Sequence, residues 1–106
     1  MPIIVSTIKA LDQKGDTVEK LIADAIPEIQ KLSGCEKYAL HRLKGRSRRG
    51  EFRLIEKWTT DADLANYGLA PVLIKLHDDL ESLIHALDDY VVVEAVVYGD
   101  PAVGAI

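Results

Sequence analysis

His77, Tyr67, Trp58, Glu56 and Glu94 are the side chains of this sequence best placed to do chemistry. A neutral imidazole accepts a phenolic proton or ligates iron, so His77, ten residues after Tyr67, is a candidate base or ligand. The alternative is a histidine at the edge of the core, hydrogen-bonded to Tyr67 or to a backbone carbonyl. Tyr67 stands between Asn66 and Gly68, where a break between helices would open a pocket mouth; it either donates a hydrogen bond to a bound oxygen or packs as a plain aromatic. Trp58 is a flat wall for a planar ligand or a core residue. Glu56 shares the face of Trp58, and Glu94 interrupts a run of valines. A carboxylate buried in such a place must be paired or protonated. Arg53, Lys57, Arg42 and Lys37 are available partners, so an ion pair across strands or across a dimer is the expected arrangement, with a general acid of raised pKa as the alternative. Cys35, the single cysteine, has no triad spacing around it and reads as a small buried residue rather than a nucleophile. No glycine-rich phosphate loop, zinc spacing or nucleophile elbow is present.

The elements that must position these groups follow from periodicity. Ile3 to Lys9 is rich in β-branched residues and reads as a strand. Asp16, with Glu19 three residues on, is the expected cap of a helix whose apolar face is Val18, Leu21, Ile22, Ala25, Ile26, Ile29 and Leu32. Pro27 predicts a kink or an early break near Ala25, and Ser33-Gly34 supplies the stop. Cys35 to Leu43 and Glu51 to Thr59 form a hairpin around the basic loop Lys44 to Gly50, which reads as a solvated turn, with a phosphate- or carboxylate-holding cluster as the alternative. In the second of these strands Phe52, Leu54, Glu56 and Trp58 share one face. Thr60-Asp61-Ala62-Asp63 opens a short helix ending by Gly68, and Pro71 opens another running to about Leu87. The inward stripe of that last helix is Leu73, Leu76, Leu80, Leu83, Ile84 and Leu87, with His77 at its edge and His85 pointing away. Tyr90 to Tyr98 is a final strand whose continuous apolar run implies burial on both faces, and Gly99 to Ile106 reads as an extended arm.

Four strands with helices after the first and third define an α+β, ferredoxin-like split βαβ sandwich with a four-stranded antiparallel sheet and both helices on one face. The opposite face is apolar enough to require cover, which two copies meeting sheet to sheet would provide. The 106 residues allow one domain, 1–106, and 48% hydrophobic with 28% charged residues allow a packed core. Thirteen Lys and Arg against seventeen Asp and Glu, a net charge of −4, give no electrostatic case for nucleic acid. There is no apolar run of the roughly 18 to 20 residues that a membrane helix needs, and no basic region opens the sequence, so no membrane association, no secretory signal and a cytoplasmic setting are expected.

Three motifs then point to a family. Gly34-Cys35-x-x-Tyr38, Glu56-x-Trp58, and a short helix carrying Tyr67 nine residues after the tryptophan resemble the antibiotic biosynthesis monooxygenases, the dimeric α/β barrels, over nearly the whole stretch from Ile3 to Tyr98. The resemblance implies a homodimer and oxidation of a small aromatic or quinol-like compound by O₂ with no cofactor; one branch of the family instead binds and degrades haem. The branch acting on aromatic polyketides has Asn, Tyr and Arg where this sequence has Leu54, Leu64 and Asp78, and keeps only Trp58. The quinol-oxidising branch has His at the positions of Tyr67 and Val72. The haem branch has Asn, Trp and His where Thr7, Tyr67 and His77 stand. The implied site is therefore Tyr67 and His77 as catalytic groups that orient or deprotonate the substrate, with Thr7, Trp58, Val72 and Leu73 contacting it. No metal is implied unless haem is bound, when His77 is its ligand. Two other readings stay open: a non-catalytic dimer that binds haem or an aromatic ligand, and a structural, stress-type dimer with a filled core.

Overall fold

The computed structural model describes residues 1–44, 50–85 and 90–93. The element order is β1 (Ile3–Lys9), α1 (Gly15–Ile29), β2 (Cys35–Arg42), β3 (Glu51–Trp58), α2 (Asp61–Gly68), α3 (Pro71–Leu80) and β4 (Tyr90–Val93). All pairings are antiparallel and the sheet order is β2-β3-β1-β4, the split βαβ arrangement that the element order predicts. Most of the loop Lys44 to Gly50, Leu87, Glu94, the rest of the last strand and the arm Gly99 to Ile106 lie outside the described residues.

Register decides which side chains reach the helices. Ile4, Glu56 and Val92 lie opposite one another, as do Ser6, Leu54 and Tyr90, and Tyr38 is opposite Glu56. Directly opposed residues share a face, so Tyr38, Glu56, Leu54, Ile4, Ser6 and Ile8 all point toward α1 and α3. The core on that side is built from Val18 and Ile22 of α1, Leu73, Leu76 and Leu80 of α3, and Phe52, Leu54 and Trp58 of β3. The other face carries the row Ala39, Ile55, Val5 and Val91, with Lys37 and Lys57 to one side and His41 and Arg53 to the other.

Several boundaries differ from the sequence expectation for definable reasons. Helix α1 starts at Gly15, with Asp16 inside its first turn and no side-chain cap; an acid there still complements the positive end of the helix dipole. It runs unbroken through Pro27 to Ile29. Pro27 is exposed, so the carbonyl that loses its N–H partner can turn to water. Helix α3 ends at Leu80, not near Leu87. Leu83 N–H closes a turn onto the Leu80 carbonyl, Ile84 bridges Ala10, and His85 N–H donates to the Lys9 carbonyl. The chain thus leaves the helix to join the end of β1. In β4, Val91 and Val92 are 56% and 61% exposed; among the described residues the strand is a sheet edge, and there it is not buried on both faces.

The start of α2 behaves as predicted. Thr60 Oγ1 accepts from Asp63 N–H at 3.1 Å and donates to the Asp63 carboxylate at 2.9 Å. Thr59 N–H bonds the Gly34 carbonyl at 2.8 Å, so the cap sits against the turn before β2. Gly34 has φ +80°, and a Cβ there would fall on the Asp63 carboxyl group. Gly34→Ala combines left-handed strain with that clash. It is expected to lower the free energy of unfolding by about 1–3 kcal/mol, measured by urea denaturation; an unchanged midpoint would contradict this packing.

Candidate functional site

A cavity of about 250 Å³ lies between the sheet and the helices. Its walls are aliphatic: Ile4 and Ile8 from β1, Ile22 from α1, Leu64 from α2, and Leu73, Leu76 and Leu80 from α3. Among the described residues, four titratable side chains line it, Tyr38, Glu56, Tyr67 and His77, with Ser6 as a further polar group.

The polar groups are tied together. The Tyr38 and Tyr67 hydroxyls are 2.7 Å apart in a buried hydrogen bond, and their rings meet edge to face at 5.8 Å. Trp58, fully buried, stacks on Tyr67 with centroids 4.7 Å apart and planes 23° from parallel. Its indole Nε1–H donates to Glu56 Oε1 at 2.8 Å. Gln30, just past the end of α1, donates to the Tyr38 carbonyl at 3.1 Å and pins β2 beneath the helix. Three motif residues, Tyr38, Glu56 and Trp58, are thus one packed unit with Tyr67.

Burial sets the protonation of this unit. It pushes both phenols well above the usual tyrosine range, with Tyr38 and Glu56 adding to the effect on Tyr67. Tyr67 is therefore a neutral hydrogen-bonding group, suited to orienting a ligand oxygen rather than to taking its proton. Burial also raises the Glu56 carboxyl, against a smaller opposing pull from the Trp58 hydrogen bond. Burial and then the Glu56 charge raise the Cys35 thiol, so Cys35 stays an inert packing residue.

The six expected site residues do not all meet. Tyr67, Leu73 and His77 line the cavity, the exposed His77 at its mouth. Trp58 stands behind Tyr67 as support. Thr7 is on the opposite sheet face, where its hydroxyl accepts from Arg53 at 3.3 Å, because strand alternation turns it away from Ser6 and Ile8. Val72 packs against the core without lining the cavity, since the helical turn that points Leu73 and Leu76 inward sends it aside. Within the single chain, the expected cross-strand ion pair of Glu56 is absent among the described residues. Arg42 binds Glu19 of α1, Lys57 lies 4.0 Å from Glu36, and Arg53 and Lys37 are on the far side of the sheet. Alternation had already put Glu56 on the apolar face of its strand; the signal missed was that no cation shares that face close to it.

The raised Glu56 pKa carries a consequence for stability. A carboxyl harder to ionise when folded binds more protons in the native than in the unfolded state, so stability falls as pH rises from the unfolded carboxylate range through the folded pKa. Glu56→Gln is expected to remove that part of the fall, seen as a flatter urea midpoint against pH. Each unit of pKa difference corresponds to about 1.4 kcal/mol. An identical pH profile in the variant would contradict the burial of the carboxyl.

A sequence profile of the family described as antibiotic biosynthesis monooxygenase matches residues 1–72. The chain belongs to that family. No curated protein matches it. Among solved structures, PA3566 from Pseudomonas aeruginosa is similar with a TM-score of 0.81 and 20% identity, over 91% of this chain and 94% of that one. A Nitrosomonas europaea protein, described provisionally as an antibiotic biosynthesis monooxygenase, gives a TM-score of 0.81 at 12% identity, over 92% of this chain and 100% of the other. A conserved protein from Methanosarcina mazei gives 0.76 at 14%, over 88% and 90%. Similarity at these identities establishes the shared fold. No described helix is long and apolar enough to cross a membrane.

Proposed function

We propose that this protein oxidises a small hydroxylated aromatic or quinol-like compound with O₂ and no cofactor, as a homodimer in the cytoplasm. The observation that carries this reading is the aliphatic cavity whose polar groups, among the described residues, are Glu56, Tyr38, Tyr67, Ser6 and the rim histidine. Such a site holds a flat apolar ring and fixes its oxygen substituents. Ionising a phenol makes its ring electron-rich enough to reduce O₂, and a cavity poor in water keeps the reactive ring from side reactions. For a hydroxyarene, O₂ adds at a ring carbon bearing hydrogen. One oxygen atom stays as the new carbonyl of a quinone. The other leaves as water with the two hydrogens lost from the ring carbon and the hydroxyl. Tyr67, backed by Trp58, orients the ring, Leu73 forms part of the wall, and His77 at the mouth hydrogen-bonds the outer oxygen substituent.

Haem fits these residues poorly. The cavity of about 250 Å³ is below the roughly 300–1,000 Å³ of sites for drug-sized ligands, and Thr7, at the first-strand position used by the haem branch, faces away from it. The dimer is proposed from the outer sheet face, where Ala39, Ile55 and Val5 are only half-buried and Val91 is open. The described residues of a single chain leave that apolar row, and the edge strand next to it, without cover.

Isotopically labelled dioxygen tests the reaction. With a two-ring hydroxyarene as substrate, one labelled atom should appear in the quinone and the other in water. Label entering the product from solvent water in place of O₂ would overturn the monooxygenase reading.

A further inference from the structure

We propose that Glu56 is the anchor and proton acceptor for a neutral hydroxyl group of the ligand, and that its carboxylate makes the cavity refuse anionic aromatics. This deepens the function proposed above and rests on that reading of the cavity. Three observations support it. Glu56 is 5% exposed and yet lines the cavity. Its Oε1 accepts the Trp58 indole N–H at 2.8 Å, a bond that fixes the carboxyl and favours its ionised form against the opposing effect of burial. No cation among the described residues pairs with it, since Arg42 and Lys57 have Glu19 and Glu36 beside them.

Among the described residues, the groups around the carboxyl leave it the one proton acceptor deep in the cavity. From β2 it faces Tyr38, with Cys35 nearby, and from β1 it faces Ile4 and Ser6. Helix α2 contributes Tyr67, α1 only the aliphatic Ile22, and α3 contributes His77 at the mouth beside Leu73 and Leu76. Burial holds both phenols neutral, and Tyr38 adds to the effect on Tyr67, so neither takes a proton. A ligand hydroxyl that bonds Glu56 can pass its proton over: its O–H bond breaks, an O–H bond forms on the carboxyl, and the pair keeps one negative charge throughout. The desolvation that raises the carboxyl pKa strengthens it as a base. A ligand that arrives already ionised would instead place two anions together in an apolar space, with no described cation to offset them.

The test uses 4-nitrophenol, whose ionisation in water falls near neutrality and whose ionised form is yellow, titrated against the intact chain over a range of pH. For the wild type, affinity should weaken about tenfold per pH unit above the phenol's own ionisation, because only the neutral molecule enters. In Glu56→Gln the carboxamide donates to a phenolate, so the slope should disappear and the bound ligand should stay yellow. An unchanged slope in that variant would overturn the proposal by assigning anion refusal to the apolar walls alone; absence of binding to the wild type would overturn it too. Circular dichroism checks the fold. Should Glu56→Gln not fold, Glu56→Asp keeps the charge: weaker binding with the slope retained supports the proposal, and binding of the phenolate overturns it. Binding is read without turnover. A wild type that shows the Glu56-dependent slope but consumes no O₂ refutes the oxidase reading alone, whereas O₂ consumption with an unchanged Glu56→Gln slope refutes this inference alone.

Discussion

Trp58→Ala is expected to lower the free energy of unfolding by about 3–5 kcal/mol, the range for truncating a large aromatic in a packed core. Trp58 is fully buried, stacks on Tyr67 and donates to Glu56, so its loss leaves a void and strips the carboxyl of its hydrogen bond at once. A domain of this size has only about 5–15 kcal/mol in hand, and the variant should therefore be marginal at physiological temperature. Trp58→Phe separates the two effects. It keeps most of the stack and removes the Nε1–H donor, for an expected loss of about 1–3 kcal/mol, and should raise the Glu56 pKa further, so that the pH dependence of stability extends to higher pH. Urea titrations of both variants at several pH values provide the measurement. A Trp58→Phe protein with wild-type stability and an unshifted pH profile would show that the indole does not hold the carboxyl.

Ile55→Arg should turn the proposed dimer into a monomer. Ile55 lies mid-sheet between Ala39 and Val5, with Arg53 and Lys57 two residues away on the same face. A further cation there gathers like charges, and a two-fold axis presents the same cluster on the partner. An uncompensated charge buried at an interface costs about 3–5 kcal/mol, so the dissociation constant should rise at least about a hundredfold. Sedimentation equilibrium at micromolar concentration should give a dimer for the wild type and a monomer for the variant, with matching circular dichroism. A wild type that sediments as one copy would remove the dimer, and with it the reason offered for the open apolar face.

The architecture was legible because each strand and helix carries its own period. The alternation in Glu51–Trp58 and the threes and fours of α1 place their apolar faces without ambiguity, and Thr60 announces its helix through a local hydrogen bond. The errors arose where tertiary contacts override local pattern. Leu83 and Ile84 fit the helical stripe of α3, yet the pull of β1 on this segment ends the helix at Leu80. Alternation alone would set Cys35 on the face of Ala39, but a bulge between Cys35 and Lys37 sets it opposite Trp58. The site was half legible. Tyr67, Leu73 and His77 converge because they lie on inward helical faces, whereas Thr7 and Val72, taken from family positions, fall on the wrong side of their elements. Glu56 carried its signal in plain view, as an acid in the apolar half of an alternating strand. Judging whether a cation stood near it required the sheet register, which fixes Arg53 and Lys37 on the far face.

Oxygen uptake by the purified, chelator-treated chain with one- and two-ring hydroxyarenes, set beside a variant whose cavity is filled by Leu73→Trp, tests the assignment of the cavity most directly. One O₂ consumed per quinone formed by the wild type, and loss of that uptake in a Leu73→Trp protein that remains folded, is the expected result. No uptake with any of these compounds, or uptake that survives the filling of the cavity, would contradict it.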